Sequence, residues 1–296
     1  MRKAALFLMV VFIGSITFSK DASAPETIYN LLNSLTFEQS GTVLLKDGIG
    51  KLTIPEGFKY LDPAQSETVL TELWGNPKSE NMSLGLLVPQ NHSLLDTKGY
   101  VFNIQYDAIG YVKDNDVGQI NYEELLMQMQ QKSVSENEKR EDAGLEPVTL
   151  LGWAFKPYYD KNRKVLHWAK ELKIGKHNEH VLNYQVRILG RNGVLVMNAI
   201  APMSDLPLVQ NDVNRILDAV GFTETYRYAR FNPQEDKIAE TGISGLISGN
   251  LLGKINLLGI FTKYWSLLLI ALIAFFRPAS DYIQELIQQN RKLSMR

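Results

Sequence analysis

LNYQVRILGRNGVLVMNAI, residues 182–200, is the stretch that decides the fold. Leu182, Tyr184, Val186 and Ile188 alternate with Asn183, Gln185 and Arg187. That is the period of a strand with an apolar face on one side and a polar face on the other. Gly190-Arg191-Asn192-Gly193 turns the chain, because glycine and asparagine tolerate the backbone angles that tight turns require. Residues 194–200 then read as a strand apolar on nearly both sides, which predicts a central place in the sheet. Upstream, residues 148–155, 164–174 and 180–189 are strand-like, with turns at 160–163 and 175–179. Four strands joined by short turns predict an antiparallel meander.

Outward from the meander, Asp205 and Pro207 open a helix with Val209, Val213, Ile216, Leu217 and Val220 on one face and Gly221 as its cap. That helix is expected to cover the sheet. Tyr100, Phe102, Ile104 and Tyr106 mark a strand with one buried face. Asn121 and Glu124 open a long helix whose apolar residues Tyr122, Leu125, Leu126 and Met129 fill only its first half. The polar half, 130–142, is expected to project into solvent, as a docking surface or as a plain solvated face. Near the start, residues 42–45 and 51–54 form a hairpin around Asp47-Gly48-Ile49-Gly50. Asp62-Pro63 begins a helix carrying Val69, Leu70 and Leu73, and 84–88 is a further strand. The fold class is α+β, an antiparallel sheet with helices packed on it, followed by a C-terminal transmembrane helix.

The transmembrane helix is INLLGIFTKYWSLLLIALIAFF, residues 255–276. Twenty-two residues at about 1.5 Å each suffice for a hydrocarbon core of about 30 Å. Lys263, Tyr264, Trp265 and Arg277 are the residue types that settle at a membrane interface. The competing reading is a buried core helix, since Lys263 shortens the uninterrupted run. At the other end, Arg2 and Lys3, an apolar run over 4–18 and Ala22-Ser23-Ala24 have the form of a secretory signal peptide, although Pro25 disfavours cleavage after Ala24. The expected organisation is a signal over 1–24, an exported domain over 25–234 and a small-residue membrane-proximal segment over 235–254. The anchor over 255–276 and a basic cytoplasmic tail over 277–296 complete it. This gives a single-pass protein of the bacterial inner membrane with its main domain in the periplasm. Gly245, Gly249 and Gly253 are spaced for close packing of membrane helices, through self-association or a partner's helix, or else belong to a plain linker.

The composition excludes several classes. The 296 residues contain no cysteine, so disulfide scaffolds, thiol nucleophiles and thiolate metal sites are out. A net charge of -1 gives no field that would favour nucleic acid. No P-loop, dinucleotide fingerprint or nucleophile elbow is present, and no cofactor is expected. His177 and His180 in KHNEH, with His167 on the neighbouring strand, form a metal-like cluster of poor spacing; a solvated turn competes with it. Asp107 and Glu171 are candidate carboxylates for acid–base work, against an exposed strand face paired with Lys170 and Arg187. Trp153, Phe155, Tyr158, Tyr159 and Trp168 line either a groove or the core.

At GYVFNIQYDAIGYVKDND (99–116), LLGWAFKPYYDKNRKVLHWAKEL (150–172), EHVLNYQVRILGRNGVLVMNAIA (179–201) and FNPQEDKIAETGISGLISG (231–249) the chain resembles a bacterial family of uncharacterised membrane-anchored proteins. The resemblance implies an exported domain tethered by a C-terminal segment and supplies no catalytic residue. LTIPEGFKYL, with the closing strand, helix and Gly-Phe, is also similar at the level of fold to small domains built like the P subunit of photosystem II. The reading that results is a periplasmic binding or scaffolding protein acting through a protein partner at the lipid bilayer. The alternative is a cell-envelope hydrolase acting on glycan or peptidoglycan.

Overall fold

A computed structural model describes residues 23–74, 76, 81–95, 99–142, 146–175 and 180–249. Most of the signal stretch, His177, Gly253, the apolar stretch 255–276 with Lys263, Tyr264 and Trp265, and Arg277 with the tail lie outside them. Among the described residues no helix is long and apolar enough to cross a membrane. The chain divides into two units, 1–34 and 35–296. In the first, Ser23–Ser34 forms helix α1; in the second, Pro63–Thr68 forms α2, capped by Asp62.

In the second unit the meander forms as expected. Strands β6 (Val148–Asp160), β7 (Val165–Ile174), β8 (His180–Leu189) and β9 (Val194–Pro202) pair antiparallel in sequence order. Strand β9 then pairs with β5 (Val101–Asp107), followed by β4 (Gly85–Pro89) and β3 (Phe58–Leu61). The seven-stranded order β3-β4-β5-β9-β8-β7-β6 puts β9 in the middle, where a strand apolar on both sides belongs. The hairpin of β1 (Thr42–Leu45) and β2 (Gly50–Thr53) joins a separate three-stranded sheet with β10 (Val220–Phe222). Gly221 therefore lies in a strand and caps nothing: helix α4 (Leu206–Ala219) ends where Val220 turns extended.

Each face of the large sheet has its own core. On the first, Phe102, Ile104, Tyr184, Val186 and Met197 meet Val209, Val213 and Ile216 of α4 together with Leu45 and Leu52. On the second, Leu166, Trp168, Val194 and Val196 meet Val112 and Tyr228. Leu125 and Met129 of α3 (Tyr122–Asp142) and Ile243, Leu246 and Ile247 of α5 (Ile243–Ser248) complete that core. Asp116 holds α5 in place, accepting from the Ile243 and Ser244 amides and the Ser244 hydroxyl. Asp114 anchors the preceding segment by accepting from Lys164 Nζ, Tyr159 Oη and Tyr228 Oη.

The polar half of α3 has a solvated side, with Lys132, Ser135, Glu136 and Glu138 exposed, but it does not stand free of the sheet. It lies along edge strand β6, where Asn137 both donates to the Val148 carbonyl at 3.0 Å and accepts from the Val148 amide at 2.8 Å. Ser133 donates to the same carbonyl, and Gln130 to those of Leu150 and Leu151. A helix facing a row of strand amides and carbonyls needs a polar stripe, because an unpaired edge is a template for another chain. Asn137→Ala is expected to cost about 1–3 kcal/mol, the range for stranding a partly buried pair. Urea unfolding and faster hydrogen exchange at the Val148 amide would check it.

Candidate functional site

The face of the sheet opposite α4 carries polar residues on three consecutive central strands. Alternation and register bring Asn103, Gln105 and Asp107 of β5, Asn198 of β9 and Asn183, Gln185 and Arg187 of β8 to one side, with Trp168 and Lys170 of β7 beside them. This face is not an exposed strand surface: Arg187 is only 1% exposed and Asn183 and Gln185 are buried with it. Arg187 Nη1 donates to the Val186 carbonyl at 2.8 Å and to Asn198 Oδ1 at 3.0 Å, and Nη2 donates to Gln185 Oε1 at 2.6 Å. Its guanidinium lies 5.2 Å from the Trp168 ring centre. Among the described residues no carboxylate comes within ion-pair distance of it, and Arg187 Nε, Trp168 Nε1, Asn183 Nδ2 and Gln105 Oε1 have no hydrogen-bond partner. Buried polar groups are nearly always satisfied, so several orphans on neighbouring strands make this face the candidate site.

The electrostatics follow from burial. Burial pushes the Arg187 guanidinium down to about 10, with the Asp107 charge opposing. Asp107 itself is raised by burial, a shift that Arg187 and the 2.5 Å bond from Asn81 partly offset. Burial first, and the Arg187 charge second, push the Lys170 ammonium down to about 8. Between about 8 and its ordinary 10.5 the unfolded chain holds the proton that the folded chain has lost. Stability therefore rises with pH across that window, and the penalty is fully present below it. The rise is expected to be about 1–2 kcal/mol, since Lys170 is half-buried and solvent screens part of the effect. Lys170→Gln should abolish it, as read from urea midpoints on either side of the window.

The other sequence candidates are dispersed. Asp107 and Glu171 stand on opposite faces of the sheet, because Glu171 shares its side with His167 and Ala169 while Asp107 shares its side with Gln105. They do not form one acid–base pair. Glu171 Oε1 instead lies 2.5 Å from His180 Nδ1. His167 pairs with Tyr184 Oη at 2.8 Å and sits six register steps from His180, about 20 Å along the strands. Among the described residues no three His, Cys, Asp or Glu side chains group to hold a metal.

The aromatic set splits between the faces. Phe155 stacks on His167 with Tyr158 edge-on, while Trp153 donates to the Tyr122 carbonyl and Tyr159 to Asp114. Gly245 is buried inside α5 against Thr241, and Gly249 ends that helix at φ 75°. Sequence reasoning had the alternation of Asn183, Gln185 and Arg187 but not the burial of their face. The signal was the same polar phase on β5 and β8, joined by the single Asn198 of β9.

The fold and the face together define an α+β domain whose large sheet carries a buried, donor-rich polar cluster. The chain belongs to the family described as "Protein of unknown function (DUF2167)", which matches residues 37–277. No curated protein matches it. Among solved structures it is similar to cyanobacterial PsbP from Synechocystis sp., with 6% identity and a TM-score of 0.37 over 63% of this chain and 94% of that one. It is also similar to the Ran-binding protein Mog1p of Saccharomyces cerevisiae, with 10% identity and a TM-score of 0.32 over 67% of this chain and 100% of that one.

Proposed function

We propose that the chain is a membrane-tethered binding or scaffolding protein of the bacterial cell envelope. In this reading the domain is exported and the stretch 255–276 anchors it in the inner membrane. Lys263, Tyr264, Trp265 and Arg277 sit at the bilayer interface, and the domain acts through a protein partner that reaches the enclosed Arg187 cluster at its half-buried edge, Lys170. The observation that carries the binding role is the set of orphan donors on that face, together with a buried cation that has no carboxylate in ion-pair contact. Buried charges are otherwise paired. Tethering is supported by the sequence of 255–276. Gly245 is enclosed by the domain, so packing against a partner's membrane helix falls to Gly249 and Gly253. A hydrolase built on Asp107 with Glu171 has no support, because the two carboxylates lie on opposite faces.

The test is crosslinking in cells, gentle extraction and mass spectrometry on three forms: the full chain, a secreted form ending at Gly249, and full-length Arg187→Gln. A stoichiometric partner held by the first two and lost from the third is expected. If folded wild-type protein captures nothing, the binding role fails.

A further inference from the structure

We infer that the Arg187 face is a carboxylate-binding site, built by Arg187, Trp168, Asn183 and Lys170. The inference rests on the reading of this face as a recognition surface and adds the chemistry it recognises. Register places the four side chains together, since Lys170 faces Asn183 across β7 and β8, Trp168 faces Gln185 and Leu166 faces Arg187. A guanidinium has five N–H donors. Arg187 spends three, on the Val186 carbonyl, Asn198 and Gln185, and its Nε–H is among those left. Trp168 Nε1 and Asn183 Nδ2 have no acceptor. The nearby side-chain acceptors are in use, as Gln185 Oε1 and Asn198 Oδ1 take Arg187 and Asn183 Oδ1 takes Gln185 Nε2. The orphan acceptor Gln105 Oε1 stands two strands away from Arg187, about 10 Å. The cluster around Arg187 thus offers donors and lacks acceptors.

The missing group is an acceptor with about four lone-pair sites on two oxygens, which is what a carboxylate presents to a guanidinium and two planar N–H donors. Charge selects the same class. Arg187 and Lys170 are two cations, Glu136 and Lys132 beside Lys170 offset each other, and the Asp107 charge acts on Arg187, so about one positive charge is left over. A single carboxylate balances it, whereas a phosphate dianion overshoots. Lys170, half-buried where Arg187 is enclosed, marks the point at which the cluster meets the surface.

The experiment uses the full chain in mild detergent with its tryptophans labelled with nitrogen-15. Sodium succinate is titrated against inorganic phosphate and chloride at matched ionic strength. The readout is the indole N–H resonance of Trp168, assigned with Trp168→Phe. Succinate is expected to shift it saturably, phosphate and chloride not. Arg187→Gln should weaken succinate by about tenfold or more, the scale of one charge-assisted pair, and Lys170→Gln by a smaller factor. Should Arg187→Gln fail to fold, Lys170→Gln carries the comparison. No saturable shift, an equal response to phosphate, or unchanged affinity in the folded variants overturns the assignment. A partner captured through Arg187 without succinate binding overturns the carboxylate and leaves the recognition role standing; succinate binding without a captured partner does the reverse.

Discussion

A chain ending after Gln234 is expected to lose the second face of its sheet, while one ending after Gly249 keeps it. The shorter chain lacks Ile243, Leu246 and Ile247, all at most 1% exposed, and the buried Ala239. At about 1.5–3 kcal/mol for each fully buried large side chain, the three aliphatics alone amount to roughly 5–9 kcal/mol as an upper estimate. That is comparable to the whole stability of a typical domain, about 5–15 kcal/mol. Polar losses add to it. Asp116 would be left without its three donors, and Arg191 without Asp236 and Glu235. Urea unfolding and near-ultraviolet circular dichroism of the two truncations would show it, and equal midpoints would mean that the segment after Gln234 contributes nothing to the core.

Replacing Gly85 by alanine should be the most damaging single-methyl change in the sheet. Gly85 has φ 138°, a conformation that side chains rarely adopt, and a Cβ there would run into the Tyr60 ring. Tyr60 cannot move aside easily: it is 1% exposed and its hydroxyl donates to the Leu84 carbonyl at 2.6 Å. Backbone strain and overpacking together are expected to cost about 3–5 kcal/mol. Gly152→Ala is the control, because open space surrounds that position and φ is ordinary. It should change stability by less than about 1 kcal/mol. Parallel denaturant curves separate the two, and a Gly85→Ala midpoint close to that of Gly152→Ala would refute the strain argument.

Periodicity exposed the meander, the central place of β9 and the apolar face of α4, since each is a property of neighbouring residues in sequence. Strand β3 escaped, because Phe58–Leu61 is four residues long and acquires its role only by pairing with β4. The long helix misled for a different reason. Gln130, Ser133, Asn137 and Arg140 recur at helical spacing, but the stripe is polar, matching the strand edge and not an apolar layer. At the candidate site the residue types were plain, and their burial was not. The covering residues Val112, Leu125, Met129 and Ile243 come from segments far apart in the chain. Only the fold shows that Asp107 shares a face with Arg187 while Glu171 turns away.

The helix laid along β6 has a counterpart at the opposite rim, where Glu38 exchanges backbone hydrogen bonds with Tyr60 on the outer side of β3. Both rims of the large sheet therefore have backbone partners or cover, and a strand from another molecule finds little to pair with until one of them lets go. Aggregation on heating should then begin with the peeling of α3, below the temperature of global unfolding. A change confined to that helix would lower the onset of light scattering more than it lowers Tm.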